Sequence, residues 1–173
     1  NLHCEQTLYA LEHGKHILCE KPMAMNVSEA EKMCRAAKEK KVLALIDHEL
    51  RFQSGRQKAF QMLRDGAIGK IRHIKYVFRN AQRGDVNIPW NWWSDIQSGG
   101  GTLGAIGSHA IDTMNWFLGT QISEIFCQLQ THVKERKDIN GEIRKVTTDD
   151  ETNMILRFAD SDLTENATGN VSL

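Results

Sequence analysis

His16-Ile17-Leu18-Cys19-Glu20-Lys21-Pro22 reads as a short apolar strand that ends in a carboxylate, an ammonium group and a residue with fixed φ. Upstream, Cys4, Leu8 and Leu11 recur at helical spacing, and Gly14 can end the helix they line. Downstream, Ser28 and Glu31 fit a capping box for a second helix with Ala30, Met33, Cys34 and Ala37 on its inner face. Val42 to Ile46 is the next strand. Helix, strand, helix, strand with short joins predicts the second half of a doubly wound nucleotide-binding sheet, its two strands parallel. Open α/β sheets bind ligands at the carboxyl ends of their strands. Lys21 and Glu20 at one tip, with His48 and Arg51 after the other, are therefore candidate site residues. A lysine there can polarise or protonate a reacting oxygen. Taken bare, the Glu20-Lys21-Pro22 triplet is more simply a surface salt bridge.

Beyond Phe52 the pattern changes. A helix with Ala59, Phe60 and Leu63 stops near Gly66, and Lys70 to Ala81 then alternates with Ile74, Tyr76 and Phe78 on one face. Ile125, Cys127, Leu129, Thr131 and Val133 form another such face, as do Thr152, Met154, Leu156 and Phe158. Asn140-Gly141 between them is a type I′ turn signal that predicts a hairpin. The expected organisation is residues 1–52 as part of a parallel Rossmann-type sheet and 53–173 as an α+β domain with a mostly antiparallel open sheet. The loop from Arg83 to Ser98 carries Trp90, Trp92 and Trp93, which stack on a sugar ring or close a lid over a cofactor, or else simply pin the loop to the sheet. From Gly104 to Gly119, Ile106, Ala110, Met114 and Phe117 make a helical apolar stripe with His109 beside it. Alone, a histidine so placed is more often a hydrogen-bonded core residue.

Composition narrows the classes without naming a chemistry. The chain has 173 residues, is 40% hydrophobic and 25% charged, and balances 22 basic against 22 acidic residues. That neutrality gives no pull towards nucleic acid or an anionic membrane. No apolar run approaches a membrane span. Cys4, Cys19, Cys34 and Cys127 are scattered through apolar patterns, which suits buried free thiols in a reducing cytoplasm. No histidine is spaced from Cys, Asp or Glu as a metal ligand would be, so no metal is expected. The fingerprint G-x-G-x-x-G is missing too. Gly99-Gly100-Gly101 lacks that spacing, so the chain reads as an internal piece of a longer protein, lacking the first half of its cofactor domain and its last strands. Alone, such a piece is expected to bind the cofactor poorly and to be inactive.

Several motifs recur in a set order: Ala10-Leu11-Glu12-His13-Gly14-Lys15-His16, then Glu20-Lys21-Pro22, His48-Glu49-Leu50-Arg51-Phe52, Gly99-Gly100-Gly101-Thr102-Leu103 and Gly107-Ser108-His109-Ala110-Ile111-Asp112. From Asn1 to about Phe158 the chain resembles the Gfo/Idh/MocA oxidoreductases, relatives of glucose-fructose oxidoreductase and inositol dehydrogenase. The resemblance implies NAD or NADP as cofactor, with Glu20, Pro22 and His48 near it, and a sugar, polyol or related hydroxy or keto compound as substrate. It implies catalytic roles for Lys21 and His109, and a homo-oligomer built through the C-terminal sheet. Arg51 is expected as an ion pair joining the domains or as a substrate contact, and Asp112 as a structural hydrogen-bonding residue. The chain departs from the family at Ala105, where typical members place an aspartate that shares proton transfer with the histidine. Two readings therefore stand: a dehydrogenase, or a member with little or no catalysis that uses the fold for cofactor binding and assembly.

Overall fold

The computed structural model describes residues 2–173. The chain divides into two compact units, one running to His48 and taking in Gln97–Gly99, the other comprising Glu49–Ile96 and Gly100–Leu173.

In the first unit, α1 (His3–Glu12) and α2 (Val27–Lys40) alternate with β1 (Ile17–Glu20) and β2 (Ala44–Asp47). The strands are parallel, as the βαβ pattern requires, and their register pairs Glu20 with Asp47 so that the carboxyl tips are flush. Leu11, Cys19 and Met33 are its buried apolar side chains. The start of α2 differs from the capping box expected at Ser28 and Glu31. Asn26 is extended, its side-chain oxygen accepts from the Glu29 N–H at 3.0 Å, and the Glu29 carboxylate accepts from the Met25 N–H at 3.0 Å. The same reciprocal logic operates two residues earlier, because an asparagine caps as well as a serine.

The second unit opens with a 3-10 turn (Glu49–Phe52), α3 (Ser54–Arg64) and β3 (Ile71–Val77). After a long loop come a π-helical turn (Leu103–Gly107) continuous with α4 (Ser108–Leu118), then β4 (Ile122–Gln130), β5 (Glu135–Lys137), β6 (Ile143–Lys145), β7 (Glu151–Phe158) and β8 (Thr164–Ser172). The main sheet has the order β3-β8-β7-β4, antiparallel except for the β3–β8 pair. One face buries Met154, Leu156, Phe158, Ala167 and Val171 under Ala110, Met114 and Leu118 of α4, which is the core of this unit.

Three expectations change here. The face of Ile125, Cys127 and Leu129 lies in register with Leu156, Met154 and Thr152 but is exposed, since β4 is one of the two edge strands and α4 packs over β7 and β8. Asn140-Gly141 turns β5 into β6 rather than β4 into β7, and only Gly141 has positive φ (84°). With the Gly141 N–H on the Asp138 carbonyl and the Asp138 N–H on the Glu142 carbonyl, this is a three-residue loop with glycine in the left-handed position, not a type I′ turn. Of the four cysteines, all free, only Cys19 is buried; Cys34 and Cys127 are exposed. Helical and strand periodicity assigns a face, but not whether anything covers it.

Candidate active site

The glycine run explains how the second unit reaches its site. A Cβ on Gly100 would lie 2.1 Å from the Trp93 carbonyl oxygen, and Gly101 (φ +102°) packs against the Asp149 carboxylate. That carboxylate accepts from the Leu103 N–H at 2.8 Å and the Thr152 hydroxyl at 2.6 Å. The run is thus a close-packed entry into the π turn, not a phosphate cradle. The turn feeds α4, whose second residue is His109, 8% exposed.

Around His109 the unit gathers charge. Nε2 of the imidazole lies 3.6 Å from Oε1 of Glu49, a carboxylate half exposed to water. Two residues along the same 3-10 turn, Arg51 donates to both oxygens of Asp112, Nε to Oδ2 at 2.9 Å and the terminal nitrogen to Oδ1. That bidentate geometry is the strong form of an arginine–carboxylate pair. It raises the Arg51 pKa, the hydrogen bond to Asp112 outweighing the opposing effect of burial. Arg56 reaches from α3 to the Thr113 hydroxyl at 2.6 Å, and Phe60 stacks on Trp116 with centroids 4.5 Å apart. Turn, α3 and α4 are therefore tied at several points on one side of the histidine. Asp112 has the structural role expected of it. The Arg51 pair lies within the second unit, so it does not join two domains, and its guanidinium is directed to Asp112.

In the first unit, Glu20 ends β1, Lys21 and Pro22 follow directly, and His48 follows β2, which places all four at the carboxyl edge of the parallel pair. Glu20 is exposed, while Lys21, Pro22 and His48 are half-buried. The His3 ring Nδ1 donates to the Pro22 carbonyl at 2.7 Å, fixing the turn from α1. This edge suits a dinucleotide: the parallel strand tips are flush in register, and Lys21 sits on the short turn that follows one of them.

The tryptophans divide. Trp90 donates its ring N–H to the Lys145 carbonyl at 2.9 Å and has the Arg144 guanidinium 3.7 Å from its ring centre, while Arg83 stands 4.2 Å over Trp93. These contacts pin the loop to its own unit. Trp92 keeps 56% of its surface exposed. Sequence reasoning missed Glu49 as a neighbour of His109 and His3 as a holder of Pro22. Glu49 lay inside a motif already singled out, but its contact spans sixty residues of chain and only the fold reveals it.

Residues 1–48 match the family model described as "Oxidoreductase family, NAD-binding Rossmann fold", and residues 56–172 match the "GFO/IDH/MocA C-terminal domain". The chain belongs to the Gfo/Idh/MocA oxidoreductase family. An uncharacterized oxidoreductase of Synechocystis is 33% identical over 160 residues, covering 91% of this chain and 43% of that protein. Levoglucosan dehydrogenase of Pseudarthrobacter phenanthrenivorans is 31% identical over 173 residues, covering 92% of this chain and 44% of that protein. The solved structure of levoglucosan dehydrogenase in complex with NADH superposes with a TM-score of 0.87 at 31% identity, over 99% of this chain and 44% of that one. This Gfo/Idh/MocA chain thus spans less than half the length of the curated relatives it matches. No helix among its described residues is long and apolar enough to cross a membrane.

Proposed function

We propose that the whole protein is an NAD(P)-dependent oxidoreductase that moves a hydride between the nicotinamide and a sugar, polyol or related hydroxy or keto compound. The observation that carries this reading is Lys21 on the held Glu20-Lys21-Pro22 turn at the carboxyl edge of a parallel strand pair, within residues that match an NAD-binding Rossmann model. A relative named for levoglucosan supports a carbohydrate substrate.

When bound, the nicotinamide supplies the acceptor or donor of the hydride. In the oxidative direction a substrate C–H bond breaks with its electron pair leaving on the hydrogen. The O–H bond breaks and its proton passes to the His109 imidazole, while a C=O bond forms. Lys21 stabilises the negative charge that grows on the oxygen, and reduction returns the same proton. Glu20, Pro22 and His48 shape the cofactor edge, and exposed Trp92 is the tryptophan best able to meet a sugar face.

Replacing Lys21 with Met, or His109 with Asn, in the whole protein is expected to lower turnover of NAD(P) with polyols or sugars by about 10²–10⁴-fold. Circular dichroism should be unchanged. Full activity after Lys21→Met overturns the assignment. The buried Ala105, which offers no carboxylate, favours a second reading in which the fold binds cofactor and assembles without turnover. Cofactor binding by the wild type without turnover of any such substrate would select it.

For assembly, we place a homo-oligomer contact on the outer face of the main sheet. Phe126 and Ile155 pair there across β4 and β7 and remain 65% and 59% exposed. Sedimentation of a Phe126→Asp variant as a smaller species than wild type would support this; identical sedimentation would refute it. Two exposed free thiols, Cys34 and Cys127, suit a cytoplasmic setting.

A further inference from the structure

We infer that Glu49 is the carboxylate partner that orients the His109 imidazole and sustains its basicity, a positioning role for a residue outside α4. The inference rests on the acid–base role proposed above for His109.

Geometry carries it. A base that takes a proton becomes a cation, and a carboxylate at ion-pair distance stabilises that cation. Glu49 Oε1 stands 3.6 Å from His109 Nε2, and the imidazole is 90% shielded from water while the carboxylate is half exposed. Such an arrangement sets a carboxylate on one side of the shielded ring while the carboxylate itself stays in contact with water.

Within this unit, other charged groups beside α4 are engaged with partners of their own. Asp112, three residues on, gives both its oxygens to Arg51. The π turn holds only Leu103, Gly104, Ala105, Ile106 and Gly107, none of which titrates. From α3, Arg56 is on the Thr113 hydroxyl and Arg64 reaches the Trp116 carbonyl and stands over Phe60. From β3, the half-buried Tyr76 packs against the apolar core. The 3-10 turn brings just Glu49 and Arg51, and the two act in sequence. Arg51 clamps the turn to Asp112, and the clamp holds Glu49 against the histidine.

The test is to titrate the ring signals of the seven histidines by NMR in the whole protein, with His109→Asn assigning the relevant resonance and Glu49→Gln removing the charge while keeping the shape. The His109 midpoint is expected to fall by about one unit in Glu49→Gln, since the lost carboxylate favoured the cation. In pH profiles of kcat/KM for oxidation, the acid limb should move to lower pH and the plateau kcat should fall by roughly tenfold. Glu49→Asp should recover part of both. An unmoved His109 titration overturns the inference whatever the activity. If His109→Asn abolishes turnover but Glu49→Gln leaves titration and profile at wild type, the Glu49 role alone falls. If His109→Asn keeps full turnover while Glu49→Gln still moves the titration, the acid–base role falls and the pairing stands.

Discussion

The lysine edge of the first unit and the histidine corner of the second are built by opposite means. Lys21 is placed by its immediate neighbours: a four-residue strand delivers it, Pro22 follows, and a capped helix starts five residues later at Val27. His3 of the adjacent helix also reaches across to the Pro22 carbonyl. His109 is placed by chain that lies far away in sequence. Its turn and helix are fixed by the pairs Arg51–Asp112 and Arg56–Thr113, each bridging more than fifty residues. Local determination tolerates single losses, because each feature adds a modest increment. Determination by a few distant pairs concentrates the consequence of each.

This contrast also explains what could be read from the sequence. The helix–strand–helix–strand order, the parallel pairing of β1 with β2, the mostly antiparallel sheet and the buried face of Thr152, Met154, Leu156 and Phe158 follow from local periodicity and short joins. The cap at Asn26 was missed by two residues because two overlapping patterns, Asn26 with Glu29 and Ser28 with Glu31, satisfy the same rule. The exposure of Ile125 and Leu129 was not legible, since an edge strand and a covered strand alternate alike. Lys21 was visible because its context is contiguous. The Glu49–His109 pair was not, because no local rule links a turn residue to a helix residue sixty positions away.

If the corner depends on few distant pairs, breaking one should cost the most. Asp112→Ala leaves the Arg51 guanidinium without its carboxylate, and a charge-assisted pair of this kind is worth about 2 kcal/mol. Arg51 stays 39% exposed, so water recovers part of its solvation and the loss stops short of that of a fully buried pair. The expected result is a lower denaturant midpoint for the unfolding of the second unit, together with a partial version of the Glu49→Gln shift in His109 titration, because the turn that carries Glu49 is released. Arg51→Ala should match it. An Asp112→Ala protein as stable as wild type would mean that α3 and α4 hold the turn without the clamp.

The local edge should answer more quietly. Asn26→Ala removes the side-chain acceptor for the Glu29 N–H, and loss of such a cap typically costs about 1 kcal/mol. The Glu29 carboxylate still accepts from Met25, so the chain between Pro22 and α2 retains one of its two reciprocal bonds. Hydrogen exchange should speed at the first turn of α2 while His3 keeps hold of Pro22, and turnover that depends on Lys21 should change by less than about tenfold. Asn26→Asp should restore protection, as aspartate caps equally well and adds a charge that the amino end of a helix favours. If Asn26→Ala instead silences the enzyme as completely as Lys21→Met, the edge is as dependent on single contacts as the histidine corner, and the division between them dissolves.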